Sequence, residues 1–190
     1  MLFPKFTGGF MKTIVAIVAA LVLTPCASFG RNRQADKNPV SDAVRTIVGH
    51  HSKIMIAAAE AMPADKYGYH PTPAQMTFGH LIMHIAESND FLCSKISGMP
   101  APAGAKLADT DPKDKLVGAL KDSFDFCSTA LGKVDDSNLG ETMPFFGGRT
   151  VSRAFVMISL TDDLYDHYSA QAAYLRLNGI LPPTAQHGRM

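Results

Sequence analysis

Between Val156 and Tyr174 an apolar stripe runs through Val156, Leu160, Asp163, His167, Ala170 and Tyr174 at spacings of 4, 3, 4, 3 and 4. A repeat of that period is the inward face of an amphipathic helix in a bundle. Two polar residues interrupt the stripe. A carboxylate in an apolar seam carries a large desolvation cost unless something cationic meets it, so Asp163 calls for a metal ion or a protonated partner. Asp163 and His167 stand four residues apart, which points both side chains the same way and lets them share one ligand.

Three other stretches share this periodicity. Val40, Val44, Ile47, His51, Ile54, Ala58 and Ala61 mark a helix from Pro39 to about Met62, closed by Pro63. A second helix starts either at the capping-box sequence Thr72-Pro73-Ala74-Gln75 or at Thr77, carries Phe78, Leu81, Ile82, Ile85 and Leu92 inward, and ends near Gly98. A third has Asp111 as its N-cap and Pro112 as its first helical residue, then Leu116, Leu120, Phe124, Cys127 and Leu131. The fourth ends at Asn178-Gly179, with Gly179 as a left-handed cap and Pro182-Pro183 as a stop. Phe145-Phe146-Gly147-Gly148, in the link before it, reads as a tight turn, the lining of a pocket mouth, or more simply a plug for the bundle end. The expectation is an all-α four-helix bundle over 39–183, after a flexible lead at 31–38 and before a tail at 184–190.

The histidines divide by position. His84 projects beside Leu81 and Ser88 at the edge of the second helix's apolar face, whereas His80, one turn earlier, lies farther from its centre. His51 sits in the first helix's seam, where a lone core histidine is more often satisfied by a backbone carbonyl than by a metal. His84 with Asp163 and His167 is therefore the candidate metal site, and His80 or His51 are the alternatives for completing a triad. Two imidazoles and one carboxylate leave open positions on a divalent ion, as a catalytic site requires. Such an ion can acidify water or a thiol, or polarise a carbonyl.

Lys12 precedes the ten-residue apolar run Ile14 to Leu23, which Thr24 and Pro25 break and Ala27-Ser28-Phe29-Gly30 follows, as in a secretory signal peptide over 1–30. Met11 is an alternative start. The run is short of the roughly 20 apolar residues that span a bilayer, so no stable membrane span is expected after cleavage, and the location is periplasmic or secreted. Cleavage removes two of the 18 bases and none of the 17 acids, which turns a formal +1 into −1. With no basic run interleaved with aromatics, nothing favours a nucleic-acid partner. Cys93 and Cys127 remain, an even pair that in an oxidising compartment allows one disulfide connectivity, with two buried free thiols as the alternative.

One set of segments runs through Ala58-Ala59-Glu60-Ala61-Met62-Pro63, Pro71-Thr72-Pro73, Thr77-Phe78-Gly79, His84-Ile85-Ala86 and Ser123-Phe124-Asp125-Phe126-Cys127. To these the last helix adds His167-Tyr168, Gln171, Tyr174-Leu175-Arg176, Asn178-Gly179-Ile180 and Pro182-Pro183. Together, over about Val40 to Pro183, they resemble the DinB-like superfamily of damage-inducible proteins and metal-dependent thiol transferases, in its secreted branch. The resemblance implies a metal held by one histidine of helix two and two histidines of helix four, zinc or nickel first, iron or manganese next. His84 and His167 match two of these positions, and Asp163 stands where the middle histidine is expected. The implied activities are transfer to a low-molecular-weight thiol or hydrolysis of a small molecule, with substrate entering near Tyr168 and the phenylalanine loop. The alternatives are a non-catalytic metal- or ligand-binding bundle and a member that has lost its metal, and a homodimer is compatible with all of them.

Overall fold

In the computed structural model, which describes residues 37–103 and 106–186, four long helices carry the expected apolar stripes. They are α1 (Pro39–Ala61), α2 (Phe78–Ser97), α3 (Lys113–Leu131) and α4 (Arg153–Leu177). A short hairpin, β1 (Thr142–Pro144) paired antiparallel with β2 (Thr150–Ser152), precedes α4, and a single turn, α5 (Pro183–Gln186), follows it. The expected signal peptide and most of the lead after it lie outside the described residues. Among those residues no helix is long and apolar enough to cross a membrane.

Helix ends show where local chemistry decides. Of the two candidate caps for α2, Thr77 is used, and its hydroxyl accepts from the His80 amide at 3.1 Å. Thr72 instead closes a turn with Gln75, because Phe78 is the first residue with an apolar face to bury. The cap expected at Asp111 is displaced by one residue: Pro112 holds the N-cap position, and the Asp111 carboxylate accepts from the Ala108 amide and pairs with Lys115 at 2.7 Å. At the far end of α4 the expected left-handed Gly179, at φ +75°, lets Ile180 N donate to Leu175 O. The expected tail begins with order: Thr184 is tied through its amide and hydroxyl to the Tyr168 hydroxyl.

Side-chain contacts fix the helix directions. Arg45 near the start of α1 donates to the Leu131 and Val134 carbonyls at 2.9 Å, and Lys113 at the start of α3 donates to the Glu60 and Met62 carbonyls, so α1 and α3 are antiparallel. Asn89 meets Ser123 at 3.1 Å and Cys93 is bonded to Cys127, so α2 and α3 run parallel. Arg153 donates to the Ile96 carbonyl and Tyr174 to that of Met76, so α2 and α4 are antiparallel. The link from α2 to α3 must therefore return along the whole of α2, about 30 Å for its 20 residues. The cysteine pair left open between disulfide and free thiols is a disulfide, with a Cα–Cα distance of 5.2 Å.

The core is one cluster in which Met55, Phe78, Ile82, Leu116, Leu120 and Leu160 are fully buried. Each such side chain contributes about 1.5–3 kcal/mol relative to exposure. The glycine turn holds the hairpin reversal, with Gly147 at φ +65° and Gly148 at +71°. The plug it was expected to provide is partial. Phe145 is half-buried, while Phe146 is 61% exposed and stacks on Phe91 at 4.4 Å.

Candidate functional site

Helix α4 presents a wider buried face than a two-position stripe, because it packs against both α1 and α2. Leu164, Gln171, Ala172 and Leu175 are buried along with Val156, Leu160, His167 and Tyr174, while Asp163 and Ala170 lie at the margin. The Asp163 side chain is 26% exposed, so the carboxylate is not sunk in the seam centre as its place in the stripe suggested. Its Oδ2 atom alone is shut off from solvent, and it has no hydrogen-bond partner.

His84 and His167 do come together across α2 and α4, their ring centroids 4.9 Å apart and the planes tilted by 54°. His167 Nδ1 donates to the Asp163 carbonyl at 2.7 Å, which fixes the tautomer and leaves Nε2 with a free lone pair. Asp163 Oδ2 lies 3.3 Å from the same Nδ1, an ionic contact without a directed hydrogen bond, since that N–H already points at the carbonyl. Burial pulls the His167 pKa down, the Asp163 carboxylate and carbonyl pull it up, and the net shift is upward. Asp163 thus stands behind the imidazole, where a carboxylate orients a ligating ring and raises its basicity.

The other two histidines are occupied elsewhere. His51 is 1% exposed, and its Nδ1 bonds the Ile47 carbonyl at 2.9 Å. Its ring lies against Tyr165 at 4.3 Å, and burial lowers its pKa. His80 faces Asp109 at 3.7 Å, next to the α2–α3 link. Neither is grouped with the His84–His167 pair.

The donor chemistry suits a divalent ion: two imidazole nitrogens from different helices, with a carboxylate set behind one of them. Among the described residues, however, no three His, Cys, Asp or Glu side chains converge as a ready-made cage. The entrance imagined near Tyr168 and the phenylalanine loop is not one place. Phe145 packs on Phe91 and Phe155 at the start of α4, and Tyr168 is 13 residues farther along the same helix, a rise of about 20 Å. Sequence reasoning also passed over Gln171 as a site residue. It is fully buried one turn beyond His167, its Nε2 reaching the Met55 carbonyl at 3.3 Å and its Oε1 unpartnered. Its position four residues after His167 was the available signal.

A family profile described as the DinB superfamily matches residues 50–169. No curated protein matches the chain. Among solved structures, a DinB-like protein from Bacillus subtilis superposes with a TM-score of 0.60 at 19% identity, over 72% of this chain and 92% of that one. A DinB-like protein from Bacillus cereus does so with a TM-score of 0.62 at 14% identity, over 75% and 95%. A mycothiol-dependent maleylpyruvate isomerase gives a TM-score of 0.56 at 16% identity, over 67% of this chain and 58% of that one.

Proposed function

The chain belongs to the DinB superfamily, and from that premise we propose that it binds a divalent metal ion through His84 and His167 with Asp163 as the accompanying carboxylate. The proposed activity is a metal-dependent transferase acting with a low-molecular-weight thiol, or a hydrolase, in the periplasm or outside the cell. The observation that carries the metal is the meeting of two imidazoles from different helices, their centroids 4.9 Å apart, with Nδ1 of His167 already engaged by Asp163. His84 and His167 supply nitrogen ligands from two helices, and Asp163 keeps Nδ1 of His167 turned away so that Nε2 faces the ligand. A bound divalent ion supplies a Lewis acid that acidifies a thiol or water. Zinc and nickel suit the imidazole pair best, and the carboxylate extends the range to iron and manganese. The choice of thiols as first substrates is supported by the likeness of fold to the mycothiol-dependent isomerase.

The Asp163–His167 contact also supports a purely structural role, an imidazolium held by a carboxylate, and the upward shift of the His167 pKa favours it. Elemental analysis of the untagged mature protein, beside His84→Ala and His167→Ala, separates the two. Near-stoichiometric metal in the parent, lost in both variants, is the expected result. A parent that stays metal-free after anaerobic reconstitution with zinc, nickel, iron and manganese leaves the structural pair. Asp163→His then discriminates further: it shifts metal preference if the site exists and creates affinity if it does not.

A further inference from the structure

Away from the histidines, a cavity of about 500 Å³ lies between the parallel helices α2 and α3. Its lining includes the small residues Ala86, Gly118 and Ala119 of the two helices and Pro102 and Leu107 of the returning link. It shares no lining residue with His84, Asp163 or His167. Its volume is that of a small-molecule site.

The charges around it are unequal. Glu87 and Asp90 enter from α2, and Asp114 and Asp122 from α3. Against them stand Lys106 and Lys115, the latter engaged with Asp111 at 2.7 Å. Asp90 Oδ1 is shut off from solvent and accepts no hydrogen bond, a state that is costly while the donor is missing. Burial, then Asp122 and Glu87, push the Asp90 carboxyl up to about 6, so it is ionised at neutral pH against the field of its neighbours. Asp114 and Asp122 are eight residues apart on α3, a rise of about 12 Å, so the carboxylates are strung along the groove. Among the described residues no three of them converge as a metal cage would require.

We propose that this cavity binds a small organic cation, an aliphatic primary amine or diamine whose ammonium donates to Asp90 between Glu87 and Asp122 and whose alkyl body lies over Gly118 and Ala119. The ammonium supplies the donor that Asp90 Oδ1 lacks, and the small residues leave room for methylenes that a compact metal ion would not fill.

Calorimetric titration of the full mature chain at pH 7.5 and fixed ionic strength tests this with 1,4-diaminobutane, its neutral isostere 1,4-butanediol, and calcium chloride. The diamine is expected to bind, with the diol and calcium at least tenfold weaker. Asp90→Asn should weaken the diamine at least tenfold. Gly118→Leu should block it by filling the cavity, on a helix position where an added Cβ meets nothing within 4 Å. His84→Ala and His167→Ala should bind as the parent does, which keeps this site distinct from the proposed metal centre. Affinity should fall below about pH 6 as Asp90, which Glu87 and Asp122 face alongside Asp114, Lys106 and Lys115, takes up a proton. No binding by the parent, equal binding of the diol or calcium, or an unchanged Kd in both Asp90→Asn and Gly118→Leu would overturn the proposal.

Discussion

At the scale of single residues, the pairing of His84 with His167 was legible because each lies on an apolar face of its own helix, and helices two and four of a bundle can meet. The depth of Asp163 was not legible. A stripe of period 3.5 drifts by about 20° per heptad against a real helix, and α4 packs on two neighbours, so its buried arc shifts toward Leu164 and Gln171. Asp90 was invisible for a different reason, since nothing local reveals that its Oδ1 is closed off. Its effect on stability has a definite sign. The folded pKa of about 6 lies above the reference value of 3.8, so between those values the native state binds more protons than the unfolded chain, and stability falls as pH rises through that window. After discounting for partial solvent screening, the loss is about 1 kcal/mol above pH 6. Asp90→Asn should therefore raise the urea-unfolding free energy by about that amount at pH 7.5 and leave it unchanged at pH 3.5. His51, buried with a lowered pKa, gives the opposite slope as pH falls below its reference value of 6.5, and the difference between parent and variant cancels it. Equal stability of the two proteins at pH 7.5 would show that Asp90 carries no such penalty.

At the scale of elements, the four helices were readable from periodicity, and their ends only in part. Gly98 and Gly179 act as left-handed caps because no Cβ opposes their positive φ. The shift of the α3 cap from Asp111 to Pro112 depends on Lys115 and the Ala108 amide, partners that lie outside the capping pattern. The hairpin of three-residue strands is too short to leave an alternating pattern, and only its two glycines announced a reversal. Gly79 shows how tertiary contact overrides propensity. On an open helix face, glycine to alanine stabilises by about 1 kcal/mol. At Gly79, in the first turn of α2, an added Cβ would lie 2.6 Å from the Asp109 carbonyl oxygen of the returning link. That oxygen is backbone and cannot swing aside, so Gly79→Ala should instead destabilise by about 1–3 kcal/mol. Chemical denaturation reads the sign directly, with Gly118→Ala as the matched control because its Cβ meets open space. Stabilisation by both substitutions would show that the link does not press on α2.

At the scale of the whole molecule, the number of helices followed from the sequence, whereas their directions did not, because both parallel and antiparallel neighbours satisfy the same apolar stripes. The directions are set by contacts distant in sequence, such as Arg45 to Leu131 and Tyr174 to Met76. Parallel α2 and α3 force a link that travels the length of the bundle, and the same arrangement creates the cavity that the link helps to line. It also gives the Cys93–Cys127 bond its role, because the bond closes a loop of 34 residues that contains the entire return path. By the chain-entropy relation a loop of that length restricts the unfolded chain enough to stabilise the fold by about 4 kcal/mol. Both sulfurs are fully buried, so a reductant reaches them only when the helices open. Reduction during urea unfolding should therefore lower the midpoint by an amount equivalent to about 2–4 kcal/mol, and Cys93→Ala/Cys127→Ala should reproduce the shift without reductant. The proposed metal site between α2 and α4 takes no residue from α3, so whatever metal the parent holds should be held equally by the folded double variant. A reduced protein with an unchanged midpoint would mean that helix packing alone holds α2 beside α3.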